Sequence, residues 1–163
     1  MVIMQNIFDP VTLEIICRLA VALLLGMFIG VERVWAHKTA GIRTYALVSM
    51  GSALFVVISE MMARAYSMGS DFDPSRIASQ VVVGVGFIGA GLIFTKDSKL
   101  VGITTATGLW VSAGIGMASG FGLYNIAIIA TLLTLFVFVV LWFFEARLKR
   151  TALYQKQNLD DNQ

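Results

Sequence analysis

Five long apolar segments, separated by short polar connections, constrain this chain more than any other feature of its sequence. A helix needs about 20 apolar residues to cross the roughly 30 Å hydrocarbon core of a bilayer. Hydrophobic residues make up 58% of the chain and charged residues only 13%, against about 25% charged residues in soluble domains. We therefore predict an all-α integral membrane protein, a bundle of five transmembrane helices. The segments are Val11–Val31, Ile42–Met62, Ile77–Phe94, Ile103–Ser119 and Tyr124–Phe144.

Lysine and arginine residues predict the orientation of these helices. Nine of the twelve lie in the connection between segments one and two, the connection between segments three and four, and the C-terminal tail. Positive charge collects on the cytoplasmic side of membrane proteins, so we expect the N-terminus outside and the C-terminus in the cytoplasm. If Ile103–Ser119 were re-entrant, the basic tail would lie opposite the basic loops, which the charge distribution disfavours.

The same pattern predicts one domain and a tail. Residues 1–146 form the predicted transmembrane domain, and residues 147–163 form a basic, then polar, cytoplasmic tail that we expect to be disordered because it is poor in apolar residues. Cys17 and His37 are the only residues of their types, so neither a disulfide nor a cysteine–histidine metal site is expected, and no cofactor is predicted. The net charge of +2 gives no indication of nucleic-acid binding.

Parts of the first two segments recur in the next two. Phe28–Gly30 has the same sequence as Phe87–Gly89, and Gly41–Thr44 is similar to Gly102–Thr105. A duplication would give two hairpins related by an axis along the membrane normal, plus one peripheral helix. The alternative is that separate helices converged on small residues for packing.

Small residues at helical spacing predict close contact between helices, because lipid gives helices no hydrophobic reason to associate. The alternative is a permeation groove lined by glycine. Gly84–Gly89 also matches the spacing of a dinucleotide-binding loop, but it lies within a predicted span and no acid follows at the required distance. The predicted packing residues are Gly26, Gly30, Gly86, Gly89, Gly108, Ser112 and Gly116.

Two polar clusters are predicted, one at each membrane face. Ionisable residues inside a span are costly, at about 2.5–3.5 kcal/mol, and usually have a partner. The outer-side cluster comprises Glu14, Arg18, Glu60 and Gln80, and is either a neutralised structural pair or an outward-facing polar site. The cytoplasmic-side cluster comprises Glu32, Arg33, Arg43, Thr44, Lys96, Asp97, Thr104 and Thr105. The helix N-termini and Arg43 in this cluster would favour binding of an anion, whereas its carboxylates would favour a cation. Alternatively, the same residues cap helices and anchor the protein at the cytoplasmic face, with no ligand.

Several ordered blocks of sequence resemble the MgtC/SapB family. They are Arg18–Leu19, Leu25–Gly26, Ile29–Arg33, Ala40–Thr44, Leu47–Val48, Gly51–Ser52, Arg76–Gln80, Gly84–Gly91, Gly102–Ala106 and Trp110–Val111. The resemblance implies a bacterial inner-membrane protein linked to growth in low magnesium and to virulence. It also implies modulation of other membrane proteins, including the F-type ATP synthase. Larger members carry a soluble C-terminal domain; we do not expect it in this chain, which puts roles that need that domain in doubt.

These observations favour a small membrane regulator that binds partner proteins through its helices and forms a homo-oligomer in the lipid bilayer. The alternative is a transporter of magnesium, another ion or a small solute, acting as an oligomer. No nucleophile is paired with a base in a catalytic pattern, so we do not expect an enzyme.

Overall fold

The computed structural model describes residues 9–66, 75–96 and 98–148. These residues form five helices and one short β-hairpin. The helices are α1 (Pro10–Trp35), α2 (Ile42–Tyr66), α3 (Ser75–Ala90), α4 (Ile103–Gly120) and α5 (Tyr124–Phe136, continued to Leu148). The strands are β1 (Phe94–Lys96) and β2 (Lys99–Val101), which connect α3 to α4.

Three of these helices are long and apolar enough to cross a membrane. They are α1, α2 over Ile42–Ala65, and α5 over Tyr124–Leu148. Helix α3 is apolar but shorter, and α4 has 18 residues. The fold is therefore mostly helical, as predicted, with three clear candidates for membrane-spanning helices.

Local sequence explains where α1 and α4 begin and end. Pro10 opens α1, where its missing N–H is not needed. Both helices end in a left-handed residue, His37 after α1 and Gly122 after α4. The backbone N–H groups of Lys38 and Leu123 donate back to the carbonyls of Arg33 and Ala118, so the exposed carbonyls of the last turns are satisfied. The result is a tight turn between successive helices.

Helix α4 lies at the centre of the bundle. It contacts each of the other described helices, and ten of its residues are buried. Around it, α1 packs closely on α2, and α5 packs on α4 and α1. Helix α3 packs mainly on α4 and, less closely, on α2, so it is at the edge. The core is built from Ala22, Ile29, Tyr45, Ala53, Val56, Leu109, Ala113 and Ile115.

The β-hairpin corrects one prediction, because the third apolar segment does not continue as a helix to Phe94. Strands β1 and β2 pair antiparallel, with Phe94 opposite Val101. Gly102 follows β2 with a φ of 92°, and a Cβ there would overlap the carbonyl oxygen of Leu92. The positive φ and the close approach at Gly102 both favour glycine at this turn into α4.

Helix α5 contains one wide turn. A π-helical turn covers Val137–Leu141, and such turns are frequent at functional sites. It brings Phe138 into the bundle while most of its neighbours stay exposed. The predicted disordered tail begins inside this helix, which runs to Leu148, and residues 149–163 lie outside the described residues.

Candidate functional site

Arg18 connects three helices at one end of the bundle. Its guanidinium pairs with Glu14, one turn earlier on α1, and with Glu60 on α2 at 2.5 Å. Glu60 also pairs with Arg64, one turn further along α2. Arg18 Nη1 donates to the carbonyl oxygen of Gly120 at 2.8 Å. We call Glu14, Arg18, Glu60 and Arg64 the Arg18 cluster; its two carboxylates and two guanidiniums balance in charge.

The Arg18 cluster also stabilises the end of α4. Gly120 is the last residue of that helix, where carbonyl groups lack partners and the helix dipole favours a cation. The guanidinium lies next to the turn from α4 into α5: a Cβ built at Gly122 would be 3.8 Å from Arg18 Nε. Arg18 Nε is buried, with no hydrogen-bond partner among the described residues. Arg18 therefore packs against the turn between α4 and α5 and stabilises it.

Gln80 was predicted to join this cluster, and that prediction is wrong. Gln80 lies on α3 and lines a separate cleft between α2 and α3, because α3 packs at the edge of the bundle. The cleft has a volume of about 640 Å³ and an almost entirely apolar lining. We call it the α2–α3 cleft. Its lining comprises Leu47, Val48, Gly51, Ser52, Phe55, Ile77, Gln80, Val81, Gly84, Val85 and Ile88.

Arg33 forms the second cluster, at the opposite end of α1. It is only 2% exposed and pairs with its neighbour Glu32. Its guanidinium carbon lies 3.5 Å from the centre of the Phe138 ring, over the wide turn of α5. A cation that is stacked on an aromatic face and shielded from water is strongly held. We call Glu32, Arg33 and Phe138 the Arg33 cluster.

Tyr45 extends the Arg33 cluster to α2 and α4. Its side chain is fully buried, and its hydroxyl donates to the carbonyl oxygen of Thr105 at 3.2 Å. A Cβ at Gly108 would lie 2.6 Å from both the Tyr45 hydroxyl and the Phe138 ring. Gly108 is therefore needed for the two aromatic rings to meet. Four helices converge here around one buried arginine.

The structure does not gather the other predicted cytoplasmic-side residues into one site. Arg43, Lys96 and Thr104 are exposed, Thr44 is half-buried, and Thr105 is buried inside the bundle. Asp97 lies outside the described residues. Within the described part of the chain, no three His, Cys, Asp or Glu residues come together as metal ligands would.

Most predicted packing residues lie where backbones meet. A Cβ at Gly26 would lie 2.6 Å from the carbonyl oxygen of Tyr45, and one at Gly30 would lie 2.5 Å from Ile42 Cα. At Gly116 it would overlap the carbonyl of Ser49. The hydroxyl of Ser112 donates to the Tyr45 carbonyl at 3.1 Å. These four positions allow α1, α2 and α4 to touch through their backbones.

Gly86 is the exception and needs correction. A Cβ built there meets nothing within 4 Å in the described chain, because Gly86 lies on the exposed side of α3. Gly89, on the other side of α3, makes an ordinary contact of 3.5 Å with Ala106. Gly30 and Gly89 thus both face the first turn of the following helix, in line with the proposed repeat, although only Gly30 is tightly packed.

Sequence reasoning missed Tyr45, Phe138 and the role of the Gly120 carbonyl in the Arg18 cluster. Phe138 lies in a uniformly apolar segment, so nothing in the sequence distinguished it from lipid-facing neighbours. Gly120 acts through its carbonyl, a group that every residue has. Tyr45 directly follows the predicted block Gly41–Thr44, which was the one signal that could have identified it.

Comparison with known proteins identifies the family of the chain. The model of the MgtC family matches residues 19–147 of the chain. The chain belongs to the MgtC family. This confirms the resemblance found in the sequence, and together with the three long apolar helices it places the protein in a membrane.

Three relatives illustrate the similarity of this MgtC-family chain. "Putative magnesium transporter YhiD" of Escherichia coli (strain K12) is 47% identical over 131 residues, covering 79% of this chain and 61% of the relative. Protein MgtC of Brucella abortus (strain 2308) is 45% identical over 113 residues, covering 69% and 45%. Protein MgtC of Salmonella typhimurium (strain 14028s / SGSC 2262) is 44% identical over 120 residues, covering 74% and 49%. The matched region thus spans about half to three fifths of each relative. No solved structure matches the chain.

Proposed function

We propose that this chain is a multi-pass regulator of other proteins in the bacterial inner membrane, linked to adaptation to low magnesium. Partner proteins would include the F-type ATP synthase and further copies of this chain. The observation that carries the proposal is the α2–α3 cleft, an apolar groove on the side of the bundle. A role in virulence stays a prediction from the family resemblance.

The proposed topology has five spans, with the N-terminus outside. At 1.5 Å per residue, the 16 residues of α3 reach about 24 Å and the 18 residues of α4 about 27 Å, close to the thickness of the hydrocarbon core. The bond from Tyr45 to Thr105 joins the starts of α2 and α4. The bond from Arg18 to Gly120 joins the start of α1 to the end of α4. These two contacts support helices that alternate in direction through the membrane, with both basic connections on the same membrane face.

The α2–α3 cleft has the features of a helix-binding groove. Gly51 and Gly84 lie in its lining with no heavy atom within 4 Å of a built Cβ in the described chain, so a partner helix can approach both backbones. The Gln80 amide offers a donor and an acceptor in the same groove. An amphipathic or apolar helix from another membrane protein would fill this space.

The hydrogen bonds and ion pairs of the bundle interior, between the Arg18 and Arg33 clusters, favour a regulator over a transporter. The buried hydroxyls of Ser49, Ser112 and Ser119 donate to the backbone carbonyls of Ala22, Tyr45 and Ile115. Their protons are therefore satisfied within the protein, and those of Ser49 and Ser112 join neighbouring helices. The charges of both clusters are neutralised by neighbouring side chains. A passing ion would have to break these ion pairs and separate backbones that are already in contact.

The test is photo-crosslinking in cells grown at low and high magnesium. A photoreactive residue replaces Gly84 in the α2–α3 cleft or, as the matched control, Ile129 on the exposed side of α5. We expect a discrete protein adduct from position 84 at low magnesium and only lipid adducts from position 129. Mass spectrometry then identifies the partner, whether an ATP synthase subunit, another protein or a second copy. Lipid adducts alone at both positions and both magnesium levels would contradict the proposal.

Transport is the second candidate, favoured by the printed name of the Escherichia coli relative. Purified protein in liposomes that contain a magnesium-sensitive dye provides the test. Flux that is lost in Arg18→Ala or Glu32→Ala would replace the regulatory proposal with transport. Liposomes that stay inert across a panel of ions would remove transport.

A further inference from the structure

The hairpins α1–α2 and α3–α4 pack with the same pattern of contacts. Helices α2 and α4 lie against each other, and both α1 and α3 pack on this central pair. An approximate two-fold axis along the membrane normal would therefore exchange the two hairpins, as in membrane proteins built from parallel repeats. The same axis would exchange two grooves. The groove between α1 and α4 holds α5, and its counterpart, between α3 and α2, is the α2–α3 cleft.

The two grooves correspond residue by residue on α1 and α3. The repeated Phe-Ile-Gly sequence aligns these helices, and Leu25 is then the counterpart of Gly84. In the same way, Ile29 is the counterpart of Ile88. Leu25 and Ile29 belong to the apolar cluster that α5 joins through Ala127. Gly84 and Ile88 line the cleft, so the α1 side of the filled groove matches the α3 side of the cleft.

The same correspondence holds for α4 and α2. The alignment of Val48–Gly51 with Val111–Gly114 gives counterparts on α2 for three of the α4 residues in that apolar cluster. All three counterparts line the cleft. The cleft is therefore the position that a helix like α5 would take beside the second repeat. The pairs are Val111 and Val48, Ile115 and Ser52, and Ala118 and Phe55.

The approximate symmetry also specifies the direction of a helix in the cleft. Arg18 of α1 packs beside Gly122, just before α5 begins. Arg33, later on α1, stacks on Phe138, later on α5, so these two helices are parallel. An axis along the membrane normal keeps the direction of each helix, so a helix in the cleft runs parallel to α3. In a second copy inserted the same way into the membrane, α3 itself has this direction.

The cleft and the exposed side of α3 form one continuous surface. A Cβ built at Gly84, in the cleft lining, meets nothing within 4 Å in the described chain, so another backbone can approach closely. Val83 and Phe87, beside it on α3, are 68% and 85% exposed. In a two-fold dimer each copy would give and receive this same surface, so the assembly closes. Insertion of α5 would instead leave an open chain of copies, because α5 and the cleft lie on opposite sides of the axis.

We infer that the α2–α3 cleft holds α3 of a second copy, in a two-fold dimer whose axis runs along the membrane normal beside Gly84. Val83 and Phe87 of each copy then cover the cleft of the other. Gln80 also lies in the cleft lining, so each amide offers a donor and an acceptor to the other copy. This inference rests on the proposed function, because it names one of the partners proposed there and the surface that binds it.

The test is disulfide crosslinking of the full chain in native membranes, in a Cys17→Ser background. Gly84→Cys places a thiol at the dimer axis, and Gly86→Cys, the matched control, places one on another side of the same helix. Neither built Cβ meets an atom within 4 Å in the described chain. We expect Gly84→Cys to form the covalent dimer about tenfold faster, because a disulfide needs Cα atoms about 4.4–6.8 Å apart. Equal rates at the two positions, or no dimer from position 84, would overturn the inference.

A second measurement needs no engineered thiol. Gly84→Leu should weaken dimerisation in mild detergent about tenfold, since the leucine fills space that the other α3 needs, and Gly86→Leu should leave it unchanged. Gln80→Leu should weaken it about threefold, the effect of one hydrogen bond between helices in a membrane. Single-molecule photobleaching of the labelled chain counts the copies, and far-UV circular dichroism checks that each variant is folded.

Two results separate this inference from the proposed function. A dimer that Gly84→Leu does not weaken uses another surface, which overturns the inference. If the photo-crosslink from position 84 joins a different protein and no disulfide dimer forms, the dimer is wrong while the regulatory proposal stands.

Discussion

Replacing Gly26 by alanine should destabilise the bundle because α1 and α2 touch through their backbones at this point. The new Cβ would lie 2.6 Å from the Tyr45 carbonyl oxygen, 2.8 Å from Ser49 Cβ and 3.0 Å from Ala46 Cα. Ordinary contact begins at 3.4 Å, so the helices must separate by about 0.8 Å. Overpacking of this kind costs about 1–3 kcal/mol. The separation also weakens the Ser49–Ala22 hydrogen bond, worth about 0.5–1.5 kcal/mol, so we expect a loss of about 2–4 kcal/mol.

The matched control is Gly114→Ala on α4, where a built Cβ has no heavy atom within 4 Å among the described residues. It should change the free energy of unfolding by zero to about 1 kcal/mol in the stabilising direction, since alanine favours a helix over glycine. Unfolding in mixed micelles of dodecyl maltoside and SDS, followed by tryptophan fluorescence, gives both values. If Gly26→Ala and Gly114→Ala agree within about 0.5 kcal/mol, the scatter of neutral substitutions, the backbone contact does not hold the two helices together.

Two further predictions concern the charged clusters, and the same unfolding assay measures both. Glu60→Gln should cost about 1–3 kcal/mol because it removes the negative charge that pairs with the shielded guanidinium of Arg18. Glu14→Gln, at a side chain that is 54% exposed, should cost less than about 1 kcal/mol. If the two substitutions cost the same free energy, Glu60 stabilises the Arg18 cluster no more than Glu14 does. Phe138→Leu should cost about 2 kcal/mol or more through the lost cation–π contact. Phe143→Leu, whose ring lies 5.3 Å from an arginine, should cost about 0.5–1 kcal/mol, and the reverse order would refute a stabilising role of the Arg33 cluster.

The helical fold was predictable because each membrane-spanning helix requires a long apolar segment, which is easy to recognise in the sequence. Helices that face lipid must be largely apolar, so α1, α2 and α5 are visible as long apolar segments in the sequence. The hairpin was missed because Ile93, Phe94 and Leu100 are as apolar as a span. The close approach of Gly102 to Leu92 depends on tertiary contact, and composition carries no signal for it.

The clusters were predictable only in part, for a related reason. A charge in a span is rare, so Arg18 and Arg33 were easy to find, and the i,i+4 spacing correctly paired Arg18 with Glu14. Glu60 was also placed correctly, because its depth matches that of Arg18. Gln80 has the same depth on α3 but lies in the α2–α3 cleft, since depth says nothing about which side of the bundle a helix occupies. The position of a helix around the bundle is set by its packing against other helices, and a single sequence does not reveal that packing.

Helix α4 shows how these observations fit together. It was the one predicted span that could instead have been re-entrant, and it is rich in Gly, Ser and Thr, yet it is the central helix. Hydropathy measures exposure to lipid rather than depth, so a helix that is surrounded by protein needs fewer apolar residues. Both polar ends of the bundle secure this helix, Arg18 through the carbonyl of Gly120 and Tyr45 through the carbonyl of Thr105. Because these costly polar groups are committed to holding α4, we expect other molecules to bind at the apolar α2–α3 cleft and not at the charged clusters.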